Sequence, residues 1–189
     1  MNPMLPFDKL LVLDLDETLI HADEQLAQPA DFAVGPYSVV RRPGVERFLE
    51  FALGSFREVG VWTSATLGYA EPVLDQLLDR SRLVFVWGRE RCVRSYDIES
   101  GDVIWRKDIQ KLRRRWPEVG RILFVDDSPE KIARSYGNLV YVRPFLGNSA
   151  DDELLWLERY LRRLGPVPNV RTLEKRGWRA QLEQEGEGA

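Results

Sequence analysis

Cysteine, histidine and methionine are almost missing from this chain, whose 189 residues include one cysteine, one histidine and two methionines. A single cysteine, Cys92, excludes an intramolecular disulfide and a cysteine-rich zinc site, and fits a reducing, cytoplasmic setting. A single His21 argues against any relay or metal site that needs several imidazoles. No apolar run approaches the roughly 20 residues of a membrane span. The N-terminus lacks the charged-then-apolar layout of a signal peptide. A strong excess of one charge is absent too. The net charge of -3 gives no bulk signal for nucleic acid or membrane. What remains, 44% hydrophobic and 30% charged, is the composition of an ordinary globular domain with a core of its own.

Apolar runs and helical patterns alternate along that domain. Strands are predicted over residues 10–13, 60–62, 83–87, 122–125 and 139–142, and helices over 44–53, 67–78, 108–116, 129–136 and 151–164. This order implies an α/β fold, a doubly wound Rossmann-like parallel sheet covered on both faces. Two segments break the pattern. Residues 22–42 read as a β-hairpin flap around Gly35-Pro36. Residues 92–98 and 102–105 read as a small β-hairpin insertion around Glu99-Ser100-Gly101. Neither is a large cap domain. Residues 1–165 form the expected domain. Residues 166–189 read as a polar tail, helical over 172–184 and disordered at its end.

The chemistry gathers where the strands end. Asp14 and Asp16 close the first apolar strand, and alternation sends both to the same side. Open α/β sheets hold their ligands at that end. Two acids there repel each other, and a divalent cation is the usual remedy. Asp126-Asp127-Ser128-Pro129 closes another strand. An N-cap followed by proline accounts for these residues, and so does a third carboxylate ligand for Mg²⁺. Thr63 and Ser64 close a third strand, where a hydroxyl either holds a phosphate oxygen or makes a turn. Lys107 is one of few lysines in an arginine-rich chain. It precedes the predicted helix at 108, where its charge opposes the macrodipole unless an anion partners it.

An aspartate pair, a hydroxyl, a lysine and a second aspartate pair, in that order, resemble the haloacid-dehalogenase-like phosphohydrolases. Within them the chain is similar to the FCP/SCP-type protein phosphatases, the small carboxy-terminal-domain phosphatase or NLI-interacting-factor-like group. The stretches that carry this are Asp14-Leu-Asp-Glu-Thr-Leu-Ile-His21, Arg42-Pro-Gly-Val-Glu-Arg-Phe-Leu49, Trp62-Thr-Ser-Ala-Thr-Leu-Gly-Tyr-Ala-Glu-Pro-Val73, Arg89-Glu-Arg-Cys92, Arg106-Lys-Asp108 and Val125-Asp-Asp-Ser-Pro129.

The resemblance implies a Mg²⁺-dependent phosphatase acting on phosphoserine or phosphothreonine in proteins. Asp14 would be the nucleophile, Asp16 the general acid/base, Thr63 the phosphate-binding hydroxyl and Lys107 the charge-neutralising lysine. Mg²⁺ would be held by Asp14, the backbone carbonyl of Asp16, and Asp127. The last of these is often asparagine in the small-phosphatase members. Thr18, Thr63, Ser64, Arg89 and Lys107 would line the substrate side. The alternatives are a nucleotide or polynucleotide-end phosphatase, and a binding module that kept the fold and lost the chemistry. Nucleic acid is the less favoured partner, because Arg113-Arg114-Arg115 reads as a solvated helix face.

Overall fold

Leu10 to Leu13, apolar on both faces, can only be satisfied in the middle of a covered sheet, and that is their place. The computed structural model describes residues 7–26, 28–97, 101–132 and 134–187. Its elements follow in the order β1 (Phe7–Leu13), β2 (Ile20–Asp23), β3 (Phe32–Val34), β4 (Tyr37–Arg41), α1 (Val45–Ser55), β5 (Phe56–Trp62), α2 (Leu67–Asp75), β6 (Phe85–Trp87), β7 (Val93–Tyr96), β8 (Val103–Arg106), β9 (Ile122–Asp126), β10 (Leu139–Tyr141), α3 (Glu153–Leu164) and α4 (Trp178–Glu187). Five strands make one parallel sheet in the order β10-β9-β1-β5-β6. In β1, residues 10–13 pair with 122–125 of β9 on one side and with 58–61 of β5 on the other.

Alternation along β1 divides the core between two layers. Leu11 and Leu13 pack with Phe48 and Leu49 of α1 and with Leu157 and Leu161 of α3. Leu10 and Val12 pack on the opposite face with Trp62, Leu112, Phe124 and Ile132. The second face is covered differently from the prediction. Residues 108–116 and 129–136 are not α-helices; they hold short 3-10 turns, Ile109–Lys111 and Pro129–Ile132. Lys111 and Arg115 would be like charges one helical turn apart. Two buried anchors, Ile109 and Leu112, are enough to fasten the first turn. The second offers one anchor, Ile132, before the chain must re-enter the sheet at Leu139.

The flap carries one strand more than expected. β2 pairs antiparallel with β4, which also pairs with β3, so the insertion after β1 is a three-stranded sheet. The second insertion is the predicted hairpin, β7 against β8. Its expected turn at 99–101 falls largely outside the described residues; at the chain's end the helix expected over 172–184 instead runs over Trp178–Glu187, in place of the disorder expected for the last residues, and 188–189 lie outside the described residues. The segment after Gly165, read above as a polar tail, contains α4. There Trp178 and Leu182 are buried, and the Trp178 ring stacks on Tyr160 of α3 at 5.1 Å. Among the described residues no helix is long and apolar enough to cross a membrane.

Candidate active site

β1, β5 and β9 run parallel, so their carboxyl ends open at one edge of the sheet. Asp14 is the first residue past β1. Its backbone N–H donates to Val125 O of β9 at 2.9 Å, which seats it against the neighbouring strand. Its side chain is buried, and Oδ1 accepts the Leu15 N–H at 2.8 Å and faces Lys107 Nζ at 2.8 Å. The same Lys107 Nζ donates to Asp126 Oδ2 at 2.5 Å. Lys107 is itself buried, so a single ammonium joins the ends of β1 and β9. The strand scaffold explains why a lysine can sit there. Two carboxylates repay the cost of desolvating one cation.

Asp16 has a different set of partners. Tyr69 of α2 donates its hydroxyl to Oδ1 at 2.8 Å, and Thr63 Oγ1 donates to Oδ2 at 3.3 Å. Thr63 follows β5, is buried, and also accepts the Ala65 N–H at 3.0 Å. The turn after Asp16 is strained: Glu17 has φ 58°, the left-handed region unusual for a side-chain-bearing residue. Arg42 holds that turn from below. Fully buried, it donates to Thr18 O at 3.1 Å and grips Asp151 with Nε and Nη2 at 2.8 and 2.9 Å.

These surroundings push the two aspartates apart. Burial raises the Asp14 carboxyl, but the charges of Lys107 and Lys131 outweigh it and hold the group below its ordinary value. Burial raises Asp16, the Asp14 charge adds to the rise, and the bonds from Tyr69 and Thr63 only partly oppose it. Asp126 and Asp127 are raised by burial and by the Asp14 charge. Asp14 is therefore the anion of the group, and Asp16, like Asp126 and Asp127, is biased toward keeping a proton.

Asp14, Asp126 and Asp127 bring one carboxylate oxygen each within 4.8 Å of one another. Asp14 Oδ2 is buried without a hydrogen-bond partner. Lys131 Nζ approaches it at 3.5 Å, and burial opposes but three carboxylates favour the charged form of that lysine. An orphaned carboxylate oxygen beside two further acids fits a hard divalent cation such as Mg²⁺. The Asp16 carboxylate lies outside that cluster, held by Tyr69 and Thr63.

The structure thus brings together Asp14, Asp16, Thr63, Lys107 and Asp127, all expected from sequence. Three others sit apart. Arg89 is exposed, and its Nε donates to Ser64 O at 2.7 Å rather than reaching the carboxylates. Ser64 is half-buried and takes part through that carbonyl. Thr18 is fully buried, its Oγ1 lacking a hydrogen-bond partner among the described residues. Sequence reasoning missed Tyr69 and Lys131, and set Asp126 aside in favour of Asp127. Lysine scarcity was a usable signal: the chain has five lysines, and two of them, Lys107 and Lys131, reach Asp14. A wide cavity of about 1180 Å³ lies elsewhere, against Tyr141, Arg171 and Trp178. It holds none of the carboxylates just described, and we place the chemistry with the carboxylates.

A parallel sheet with acids at its carboxyl edge is the arrangement of the haloacid dehalogenase-like class. A solved haloacid dehalogenase-like family hydrolase from Xanthomonas campestris has the same fold, with a TM-score of 0.52 at 13% identity, covering 85% of this chain and 97% of that one. Within that class the assignment is narrower. The chain belongs to the NLI interacting factor-like phosphatase family, whose model matches residues 9–171. It is 32% identical to human carboxy-terminal domain RNA polymerase II polypeptide A small phosphatase 1, over 86% of this chain and 62% of that protein. A Schizosaccharomyces pombe protein is 34% identical over 87% of this chain and 50% of its own length. The chain therefore spans between 31% and 62% of the length of the curated relatives it matches.

Proposed function

We propose that this chain is a Mg²⁺-dependent phosphatase that hydrolyses phosphate monoesters through an aspartyl phosphate on Asp14, with phosphoserine or phosphothreonine of a protein as substrate. The observation that carries the reading is that two neighbouring buried aspartates have different partners, Asp14 facing Lys107 and Lys131 and Asp16 held by the hydroxyls of Tyr69 and Thr63, which lowers the pKa of the first and leaves that of the second raised. Environments that split a carboxyl pair in this way assign a nucleophile and an acid.

Asp14 attacks phosphorus in line with the ester oxygen, and the phosphoryl group passes to its carboxylate. Asp16 gives its proton to the leaving oxygen. It then takes a proton from the water that hydrolyses the acyl phosphate. Thr63 orients Asp16 in the free site, and its single hydroxyl proton turns to a phosphate oxygen when substrate binds. Lys107 bridges Asp14 and Asp126 and holds Asp14 ionised, and Lys131 adds a second positive charge at the Asp14 edge. A Mg²⁺ held by Asp14, Asp127 and the Asp16 carbonyl would neutralise charge on the transferring group. A protein substrate is supported by the relatives, among them the human small phosphatase named for a carboxy-terminal domain of RNA polymerase II. It is supported also by insertions that are small antiparallel sheets beside the carboxylates.

The test is turnover of an aryl phosphate and of a phosphoserine peptide, with and without Mg²⁺. Asp14→Asn should lower kcat by about a thousandfold or more. Normal turnover by that variant would remove the mechanism. A preference for mononucleotides or phosphorylated nucleic-acid ends would move the substrate assignment to nucleic acid. A folded wild-type protein without metal-dependent turnover would leave a binding module.

A further inference from the structure

One face of the β7–β8 hairpin carries chemistry that the phosphate site does not use. The register sets Arg94 opposite Trp105 and Tyr96 opposite Val103, so these four side chains share a face. That face is open to solvent at Arg94, Tyr96 and Val103, with Tyr96 at 56% and Val103 at 40% exposure, while Trp105 is half-buried against the core and anchors it. The Arg94 guanidinium lies 5.1 Å from the Tyr96 ring centre, and that of Arg89 lies 5.4 Å from the Trp105 ring centre. Close by, Arg91 lies 5.2 Å from the Trp87 ring centre. Some arginines elsewhere have carboxylate partners, as Arg80 has Asp75, Arg82 has Glu50 and Arg121 has Asp8, while exposed Arg159 lies over the Trp156 ring with no ion pair among the described residues. Among the described residues no carboxylate forms an ion pair with Arg89, Arg91 or Arg94.

Stacking a guanidinium on a ring fixes its plane while leaving its N–H edge for an oxyanion. Three such groups, Arg94 on the hairpin and Arg89 and Arg91 in the turn before it, make a preorganised anion surface within a chain of net charge -3. The surface is joined to the site through the turn that follows β5. Arg89 Nε is bonded to Ser64 O, and the preceding residue, Thr63, donates to Asp16. A strand's side chains recur on one face about every 6.8 Å, so an extended peptide leaving the site could present alternate acids along such a face.

We propose that the Arg89–Trp105–Arg94–Tyr96 face binds acidic or further phosphorylated residues flanking the phosphoresidue of a peptide substrate. This rests on the phosphatase reading above. It favours a peptide over nucleic acid because each ring is already stacked with a guanidinium, whereas single-stranded nucleic acid binds by laying bases on free ring faces.

The experiment is fluorescence anisotropy in EDTA with labelled phosphoserine peptides, one with neutral flanks and one with aspartates at the same positions. Wild-type protein should bind the acidic peptide about tenfold more tightly. Arg94→Gln/Tyr96→Ser should bring the two affinities together, and Arg94→Lys, which keeps charge without the planar stack, should fall between. Equal affinities in the wild type, or a preference that survives the double substitution, would overturn the proposal. So would tighter binding of a single-stranded oligonucleotide than of the acidic peptide. Aryl phosphate turnover, measured separately, reports on the phosphatase reading and not on this surface, so the two can fail independently. Near-ultraviolet circular dichroism shows whether the variants are folded.

Discussion

Lys107→Met is the most informative single change, because it removes one charge and nearly none of the volume. In the intact protein the buried ammonium faces Asp14 Oδ1 at 2.8 Å and Asp126 Oδ2 at 2.5 Å. Methionine leaves both carboxylates buried with no ammonium between them. Lys131, at 3.5 Å from Asp14 Oδ2, offsets only part of the loss. Breaking a buried pair in this way costs about 3–5 kcal/mol. In a domain of this length about 2–4 °C of melting temperature accompanies each kcal/mol, so the metal-free variant should melt roughly 6–20 °C below the wild type. Differential scanning calorimetry in EDTA measures this directly. Adding millimolar Mg²⁺ should restore part of the difference, since a divalent cation supplies charge to the same acids. Arg57→Met, which breaks an exposed pair with Asp8, serves as the control and should leave the melt unchanged. A Lys107→Met melt within 2 °C of the wild type in EDTA would refute the view that this lysine is what lets the acids coexist.

Three further outcomes are expected. Tyr69→Phe removes a hydrogen bond that favours the Asp16 carboxylate, so the Asp16 pKa should rise. Hydrolysis that needs protonated Asp16 falls as pH climbs through that pKa, and the alkaline limb of the pH profile should move up by about one unit; an unmoved limb would detach Asp16 from the profile. Mg²⁺ should stabilise the wild type by about 2.7 kcal/mol at a hundredfold excess over its Kd, and Asp127→Asn should weaken that gain in thermal melts. Gly60→Ala would put a methyl 2.5 Å from the Phe85 ring inside the sheet, and should cost about 1–3 kcal/mol in urea unfolding.

Much of the site could be read before any coordinates, for reasons that concern where strands end. Asp14, Asp16, Thr63 and Asp127 each lie within a few residues of an apolar run that must be buried. Position along the chain therefore fixes their position in space. Lys107 was legible through scarcity, not local pattern. Tyr69 and Lys131 were not legible. Tyr69 stands on α2 among residues that look like core, and its hydroxyl meets Asp16 only through the crossing of α2 over the sheet. The helix expected at 108–116 failed because the three-residue spacing of Ile109 and Leu112 serves a 3-10 turn as well as an α-helix, and at 129–136 a 3-10 turn, Pro129–Ile132, takes its place. β2 was overlooked because Ile20 to Asp23 is too short and mixed to stand out from a loop.

The meeting of Phe7 and Gly165 has a consequence for how the chain is made. Phe7 begins β1, and its ring lies against Gly165, where a Cβ would be 2.3 Å from it. Beside it, Lys9 Nζ donates to Gly165 O at 2.7 Å, across 156 positions of sequence. The central strand leaves the ribosome first, yet one of its ends is sealed by a residue made more than a hundred and fifty steps later. Its other edge partner, β9, also arrives late. β5 covers one edge early, but at about 5–20 residues per second the edge of β1 that faces β9 waits for roughly 6–23 seconds uncovered. Such exposed edges are what chaperones hold, and slow synthesis or a missing β9 should send this chain toward aggregation before it touches any phosphate.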